Sequence, residues 1–571
     1  MPADADARSA AVPPGAASVA PFDRAAMLDR LAAETFDILV IGGGITGVGV
    51  ALDAASRGLR TALVEAEDFA SGTSSKSSKL VHGGLRYLQQ GDIRLVYEAL
   101  HERQRLRHNA PHLVKLLPFM IPILTKDGLI PRRVARALGW AMWMYDLTGG
   151  FRIGKFHRRL KPDVAYTHLP TMPRERLAGG YLYYDATTDD ARLVLSLART
   201  AAQHGAALAN RCPVVALRKD AAGQVVGARV DTGRSTIDVS AKVVVNATGV
   251  WSDAVRQLED GVDPDSIRPA KGIHITVPWA KVRNDIAVVI PVPGDKRSLF
   301  VVPAGPRPDG TFDHAYVGTT DNDYDGPLED PACTREDIEY VLRALNATVT
   351  TSVTADDITG VWAGLRPLVK SAPSGRTADL SRRHRVTIGP AGVIGITGGK
   401  LTTYREMAED TVDEVGTRLG HKARCRTKRL RLIGAHGFRD APAGTPQAHL
   451  SNRYGTLAPD IEQLVAENPS LGAPLVPGLA YLRAEAVYAA QHEMAITLTD
   501  VLARRTRAHL FDRPATLAAA ADVAALLAPE LAWDDDEVAR QVAAYEALVA
   551  KETTDATEAD GAVPTVSPSG S

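Results

Sequence analysis

The sequence predicts an α/β protein: a Rossmann-like nucleotide-binding domain interleaved with an antiparallel-sheet substrate domain, followed by an all-α C-terminal domain. Three observations carry this. An apolar strand runs into a glycine turn and a small-residue helix near residue 40. Two later segments repeat the step from strand to Gly/Thr turn. From about residue 425 the chain is rich in Ala, Leu, Glu and Arg at helical spacing.

The elements follow in order. At 571 residues the chain exceeds what one core usually supports. Residues 1–34, rich in Ala, Pro and Asp, read as a disordered segment without the basic start or apolar core of a signal peptide. "FDILVIGGG", "VGVALDAASRG" and "RTALVEAE" then give strand, turn, helix and strand within one βαβ unit. "AKVVVNATGVWSD" and "AGVIGITGGKLTTYREMAED" bring further strand-end loops. In a doubly wound sheet such loops converge on one ligand. The nucleotide-binding segments are expected at about 35–110, 185–260 and 355–420.

Between them, at about 111–184 and 261–354, "PHLVKLLPFMIPILTKDG", "GIHITVPW", "SLFVVPAGP" and "HAYVGTTDND" read as short strands of an antiparallel substrate domain. "RVARALGWAMWMYDLTGG" reads as a core or interface helix, because Arg136 and Asp146 interrupt it. "LRAEAVYAAQHEMAITLTDVLARRTRAHL" and "DDEVARQVAAYEALVAKE" supply helices to a domain at 425–550, and 551–571 reads as a disordered tail.

Composition excludes several classes. A net charge of −1 gives no field to recruit nucleic acid. Cys212, Cys333 and Cys425 stand far apart with no metal-ligand spacing, which argues for a reducing compartment and no metal site. No apolar run reaches the ~18–20 residues that span a bilayer. A cytoplasmic location is expected.

The chemistry begins at Gly42, Gly44 and Gly47, a GxGxxG placed between strand and helix. The three glycines serve the tight turn, close approach of backbone to a pyrophosphate, and packing of helix on strand. Helix-terminal amides then receive the phosphate. Glu65 ends the next strand, where a carboxylate accepts from ribose hydroxyls. The extra loops suit a longer ligand than NAD. A helix start after Gly398 and Gly399, with Lys400 beside it, offers donors and positive charge to a reduced flavin, anionic at N1; a solvated lysine is the plain alternative.

These residues resemble a known family. "IGGGITGVGVALDAASRG", "SSKSSKLVHGGLRYL", "DDARLVLSLA", "VVVNATGVWSD", "KGIHITVP", "VGTTDNDYDG", "GLRPLV" and "GGKLTTYREMAED" look like the FAD-dependent, quinone-linked glycerol-3-phosphate dehydrogenases of the bacterial aerobic type. The likeness runs in order from about residue 35 to 410 and continues more weakly through the helical C-terminus. It implies FAD as cofactor and oxidation of sn-glycerol 3-phosphate to dihydroxyacetone phosphate in glycerol catabolism. It further implies electron delivery to a respiratory quinone from the cytoplasmic face of the plasma membrane. A homodimer is left open.

Cofactor contacts are expected first from Gly42, Gly43, Gly44, Ile45, Thr46 and Gly47, with Glu65 and Ala66. A second stretch is the Ser-rich loop: Thr73, Ser74, Ser75, Lys79, Leu80, His82, Gly83, Gly84 and Leu85. Its hydroxyls can bond a cofactor, and Gly83 and Gly84 allow backbone near the flavin ring. A third comprises Ala247, Thr248 and Gly249 with Gly398, Gly399, Lys400, Leu401 and Thr402.

By resemblance Arg86, Arg366 and Lys400 bind the substrate phosphate, and Tyr87 and His274 line the same pocket. A phosphate dianion wants at least two cations, and a guanidinium binds it through paired hydrogen bonds. Arg366 sits among apolar neighbours and needs a fixed anion, which is either phosphate or a carboxylate. The step implied is hydride transfer from C2 to flavin N5, with the hydroxyl proton passing to His274 or Arg366. Three other readings stand beside it: an oxygen-using glycerol-3-phosphate oxidase, an amine or amino-acid oxidase of the same fold, and a flavin-binding scaffold or sensor without turnover.

Overall fold

The computed structural model describes residues 22–84, 93–125, 139, 142, 143, 145, 146, 155–295, 297–370 and 384–557. Two sheets organise it. In the first, five strands lie parallel in the spatial order Ala207–Ala209, Thr61–Val64, Thr35–Ile41, Thr236–Asn246 and Ile394–Thr397. Ile38, Leu39, Val40, Leu63 and Val245 are buried, as expected for strands covered on both faces. Helices Ile45–Ser56, Asp190–Gln203 and Tyr404–Leu419 form one covering layer, with Ile45–Ser56 packed between the other two. Arg385–Ile388 closes one edge antiparallel.

The second sheet has ten strands and is antiparallel except where Ala287–Pro291 pairs with Lys115–Leu124. Its centre for function is the pairing of Ile267–Pro278 with Gly360–Val369, which sets Ala270 opposite Arg366, Gly272 opposite Gly364 and His274 opposite Trp362. Successive side chains alternate across a strand, so these residues share one face. The strand Gly360–Val369 thus belongs to this sheet, although its sequence position fell within an expected nucleotide-binding segment. The pairing of Leu80–Val81 with Leu177–Thr187 also ties the Ser-rich loop to it.

Helices Pro446–Tyr454, Ala458–Glu467, Arg483–His492, Arg513–Leu531 and Asp535–Asp555 make up most of the C-terminal region. Buried charges lock it to the nucleotide-binding layer. Asp68 is enclosed by Arg504 and Arg505, and Arg192 pairs with Glu493. Such pairs specify a docking geometry more than they add stability.

Three expectations change. Residues Arg24–Ala33, inside the segment expected to be disordered, form a helix capped by Asp23, and Arg24 donates to the carbonyls of Asn210, Arg211 and Thr232. The last helix passes residue 550, held by Lys551 on Asp330 and by Glu552 on His509 and Arg513. Helix Arg513–Leu531 is long and apolar enough to cross a membrane by length and composition, against the sequence expectation. It packs here against Arg483–His492 and Asp535–Asp555, and alanines between its polar residues account for its apolar character. Most of the helix expected at 133–150 lies outside the described residues; Met142, Tyr145 and Asp146 are buried.

Candidate flavin and substrate site

A cavity of about 580 Å³ follows the carboxyl ends of the five parallel strands. In sheet order its wall takes Cys212–Val214, then Glu65 and Ala66, then Gly42 and Gly44, then Ala247–Gly249, and finally Gly398–Lys400. Five strands at ~4.8 Å spacing extend ~19 Å, a length suited to an extended dinucleotide.

Local chemistry explains each contribution. Gly42 (φ 109°) turns the chain where a Cβ would lie 2.8 Å from the Ala247 carbonyl, so only glycine lets the two loops meet. Gly44 caps helix Ile45–Ser56, and the Ile45 amide donates to Ser74 Oγ at 2.9 Å. The Glu65 carboxylate accepts from the Gly43 amide (2.6 Å) and the Glu67 amide (2.9 Å). Burial pushes its pKa up, while those two amides oppose the shift.

At the other end the antiparallel sheet roofs the cavity with Gly272, His274, Thr319 and Arg366. Arg366 donates to Asp321 Oδ1 (2.9 Å), Thr320 O (3.2 Å) and Thr319 Oγ1 (3.3 Å). The guanidinium therefore has a carboxylate partner, and Asp321 fixes the fork at the cavity wall. A Cβ on Gly272 would stand 2.7 Å from Arg366 Nη2 and 2.6 Å from Thr319 Oγ1, so the glycine makes room for that arrangement.

His274 is buried, stacked on Trp362 (centroids 4.8 Å apart, planes 9° apart), and its Nε2 lies 2.9 Å from Ser78 Oγ. Burial, then Lys79, then Arg366 hold its pKa well below the ordinary histidine value. The ring is neutral at physiological pH, and a neutral imidazole keeps one lone pair able to take a proton.

The cavity brings together Gly42, Gly44, Ile45, Thr46, Glu65, Ala66, Thr73, Ser74, Leu80 and His82 from the first two predicted stretches. From the third come Ala247, Thr248, Gly249, Gly398, Gly399, Lys400, Leu401 and Thr402. Thr402 Oγ1 accepts from the His82 amide at 3.3 Å, joining the Ser-rich loop to the turn that opens helix Tyr404–Leu419.

Six predicted cofactor residues do not line it. Gly43 and Gly47 stand behind the turn, against Glu65 and Gly42 respectively. Ser75 is buried with its carbonyl turned to Lys79 and Arg507, and Lys79 points to Asp190. Gly83 has no room for a side chain beside Leu100 and Tyr145, and its amide donates to Asp185. Gly84 (φ 73°) ends the described part of the loop. Leu85, Arg86 and Tyr87 lie outside the described residues.

Sequence reasoning missed Cys212–Val214, Trp251, Thr319 and Asp321. The first could have been found from the strand that follows helix Asp190–Gln203. The others stand inside quoted motifs, "NATGVWSD" and "VGTTDND", without an assigned role.

The residues present fit a flavin dinucleotide: a glycine cradle closed to side chains, a carboxylate two strands from Ala247, and amides with Lys400 at the far end. Comparison with known proteins agrees. The profile of the family described as "FAD dependent oxidoreductase" matches residues 37–405, and that of "C-terminal domain of alpha-glycerophosphate oxidase" matches 425–538. "Glycerol-3-phosphate dehydrogenase 2" of Mycobacterium tuberculosis is 41% identical, over 94% of this chain and 92% of its own length. "Probable glycerol-3-phosphate dehydrogenase, mitochondrial" of Caenorhabditis elegans is 39% identical, over 89% of this chain and 72% of its own. The crystal structure of the glycerol-3-phosphate dehydrogenase from Bacillus halodurans complexed with FAD superposes with a TM-score of 0.73 at 30% identity, covering 94% of this chain and 97% of that one. A strand-end cradle for a flavin, a basic roof and a helical C-terminal region thus coincide with relatives matched along most of their length, and the chain belongs to the FAD-dependent glycerol-3-phosphate dehydrogenase family.

Proposed function

We propose that the protein oxidises sn-glycerol 3-phosphate to dihydroxyacetone phosphate and passes the two electrons to a respiratory quinone. The observation that carries the substrate assignment is one cavity lined by Arg366, His274 and Lys400 as well as by the flavin cradle. Bound FAD supplies the acceptor for the hydride leaving C2. Arg366, steadied by Asp321, and Lys400 bind the phosphate and orient the carbon chain. His274, neutral and held by Ser78 and Trp362, accepts the C2 hydroxyl proton. Arg366 stays protonated throughout, because a guanidinium beside a carboxylate does not release its proton near neutrality. Arg86 and Tyr87, outside the described residues, keep in this reading the substrate-binding roles that the resemblance gives them.

Quinones reside in membranes, so the reading includes peripheral contact with the cytoplasmic face of the plasma membrane. An oxygen-using oxidase is the second reading, favoured by the match of residues 425–538 to an alpha-glycerophosphate oxidase domain. Turnover in air with a soluble quinone analogue separates them. Quinone reduction with little peroxide is expected; peroxide formed mole for mole with product would overturn the quinone assignment.

A further inference from the structure

The motif Asp189–Arg192 contributes nothing to the cavity wall, yet its second carboxylate organises the loop that does. Asp190 is fully buried at the start of helix Asp190–Gln203. It accepts from the Ser77 amide (3.0 Å), Ser77 Oγ (2.7 Å), Lys79 Nζ (3.2 Å) and Arg507 Nη2 (2.9 Å). Lys79 and Arg507 thus share this one carboxylate, and Asp189 stands 3.6 Å from Arg507 Nε beside them. The Lys79 ammonium also lies 4.8 Å from the centre of the Trp362 ring, and Trp362 stacks on His274. A continuous path runs from the C-terminal domain, through Asp190, Lys79 and Trp362, to the imidazole on the cavity wall.

We propose that Lys79 is a positioning residue for the oxidation: anchored on Asp190 against Trp362, its ammonium keeps His274 in the neutral form that can accept the substrate proton. This rests on the assignment of His274 as proton acceptor. A neighbouring cation disfavours imidazolium, and the low-polarity surroundings of His274 weaken screening. The other groups facing His274 are Ser78 from the same loop, Arg366, itself paired to Asp321, and Tyr316 from strand Phe312–Gly318. Facing Lys79 are Asp190, Asp189 and Arg507. Burial and then Arg507 bring the Lys79 pKa down to about 8, against the pull of Asp190 and Asp189. The ammonium therefore persists across the range in which an ordinary histidine becomes protonated.

The test compares Lys79→Met, Lys79→Gln and Lys79→Arg holoenzymes; the Gln variant keeps a donor for Asp190 should the Met variant fail to fold. Two quantities are read: the acid limb of kcat/KM with glycerol 3-phosphate, and the NMR titration of the His274 ring in the oxidised enzyme, assigned by its loss in His274→Asn. Both neutral variants should move both midpoints up by roughly one pH unit, while Lys79→Arg stays at the wild-type value. Neutral variants with intact flavin and an unmoved His274 titration would overturn the proposal. Full activity in His274→Asn would instead refute the proton-acceptor assignment, and the ring titration would still report on Lys79.

Discussion

Gly272→Ala tests the phosphate site without deleting any charged group. The added Cβ would stand 2.7 Å from Arg366 Nη2 and 3.0 Å from Nη1, whereas ordinary contact begins near 3.4 Å. The guanidinium must retreat by about 0.7 Å, and Thr319 Oγ1, at 2.6 Å, must also give way. Both obstacles are ends of side chains, so the fold should tolerate the change at a cost of about 1 kcal/mol or less. A phosphate held by a fork does not tolerate it as well. Losing one charge-assisted hydrogen bond costs about 1.5–3 kcal/mol, which is roughly a ten- to hundred-fold loss of affinity. Steady-state dye reduction should therefore show a KM for glycerol 3-phosphate raised by that factor, with the flavin spectrum and Tm close to wild type. Arg366→Ala sets the ceiling, at about 2–5 kcal/mol in kcat/KM. If KM in Gly272→Ala matches wild type while Arg366→Ala also leaves it unchanged, Arg366 does not hold the phosphate.

Gly44→Val places a side chain 3.1 Å from Ser74 Oγ, at the helix start that faces the cavity. The purified variant should retain no FAD, and a normal flavin spectrum would refute the cradle. At the C-terminus, burial pushes the Glu552 pKa up, but His509 and Arg513 outweigh it and hold it down to about 2. A depressed carboxylate contributes stability that is full above its unfolded pKa and lost as pH falls toward the folded value. Denaturant unfolding from about pH 5 to 2 should weaken less steeply in Glu552→Gln than in wild type; identical slopes would show that the tether of the last helix carries no linkage.

The glycine fingerprint, Glu65 and the later strand-end turns were legible in sequence because each is a local device: backbone freedom, a helix terminus, a carboxylate at fixed spacing. The roof was less so. That Arg366 meets Asp321 depends on strand register across separate segments, which no local pattern reports. Lys79 and Gly83 illustrate the same limit from the other side. They stand in the right loop, yet one turns to a buried aspartate and the other yields to Leu100, because partners distant in sequence decide where a side chain goes. The N-terminal helix was missed because its hold comes from Arg24 on carbonyls near residue 210, not from its own composition.

In the proposed reaction one cavity holds the flavin and glycerol 3-phosphate together in a reactive pose. Anaerobic mixing of oxidised holoenzyme with glycerol 3-phosphate tests it most directly. The flavin absorbance should bleach fully with one equivalent of dihydroxyacetone phosphate formed, and glycine or proline should cause no bleaching. An oxidised spectrum that persists with glycerol 3-phosphate, or bleaching by an amino acid instead, would contradict it.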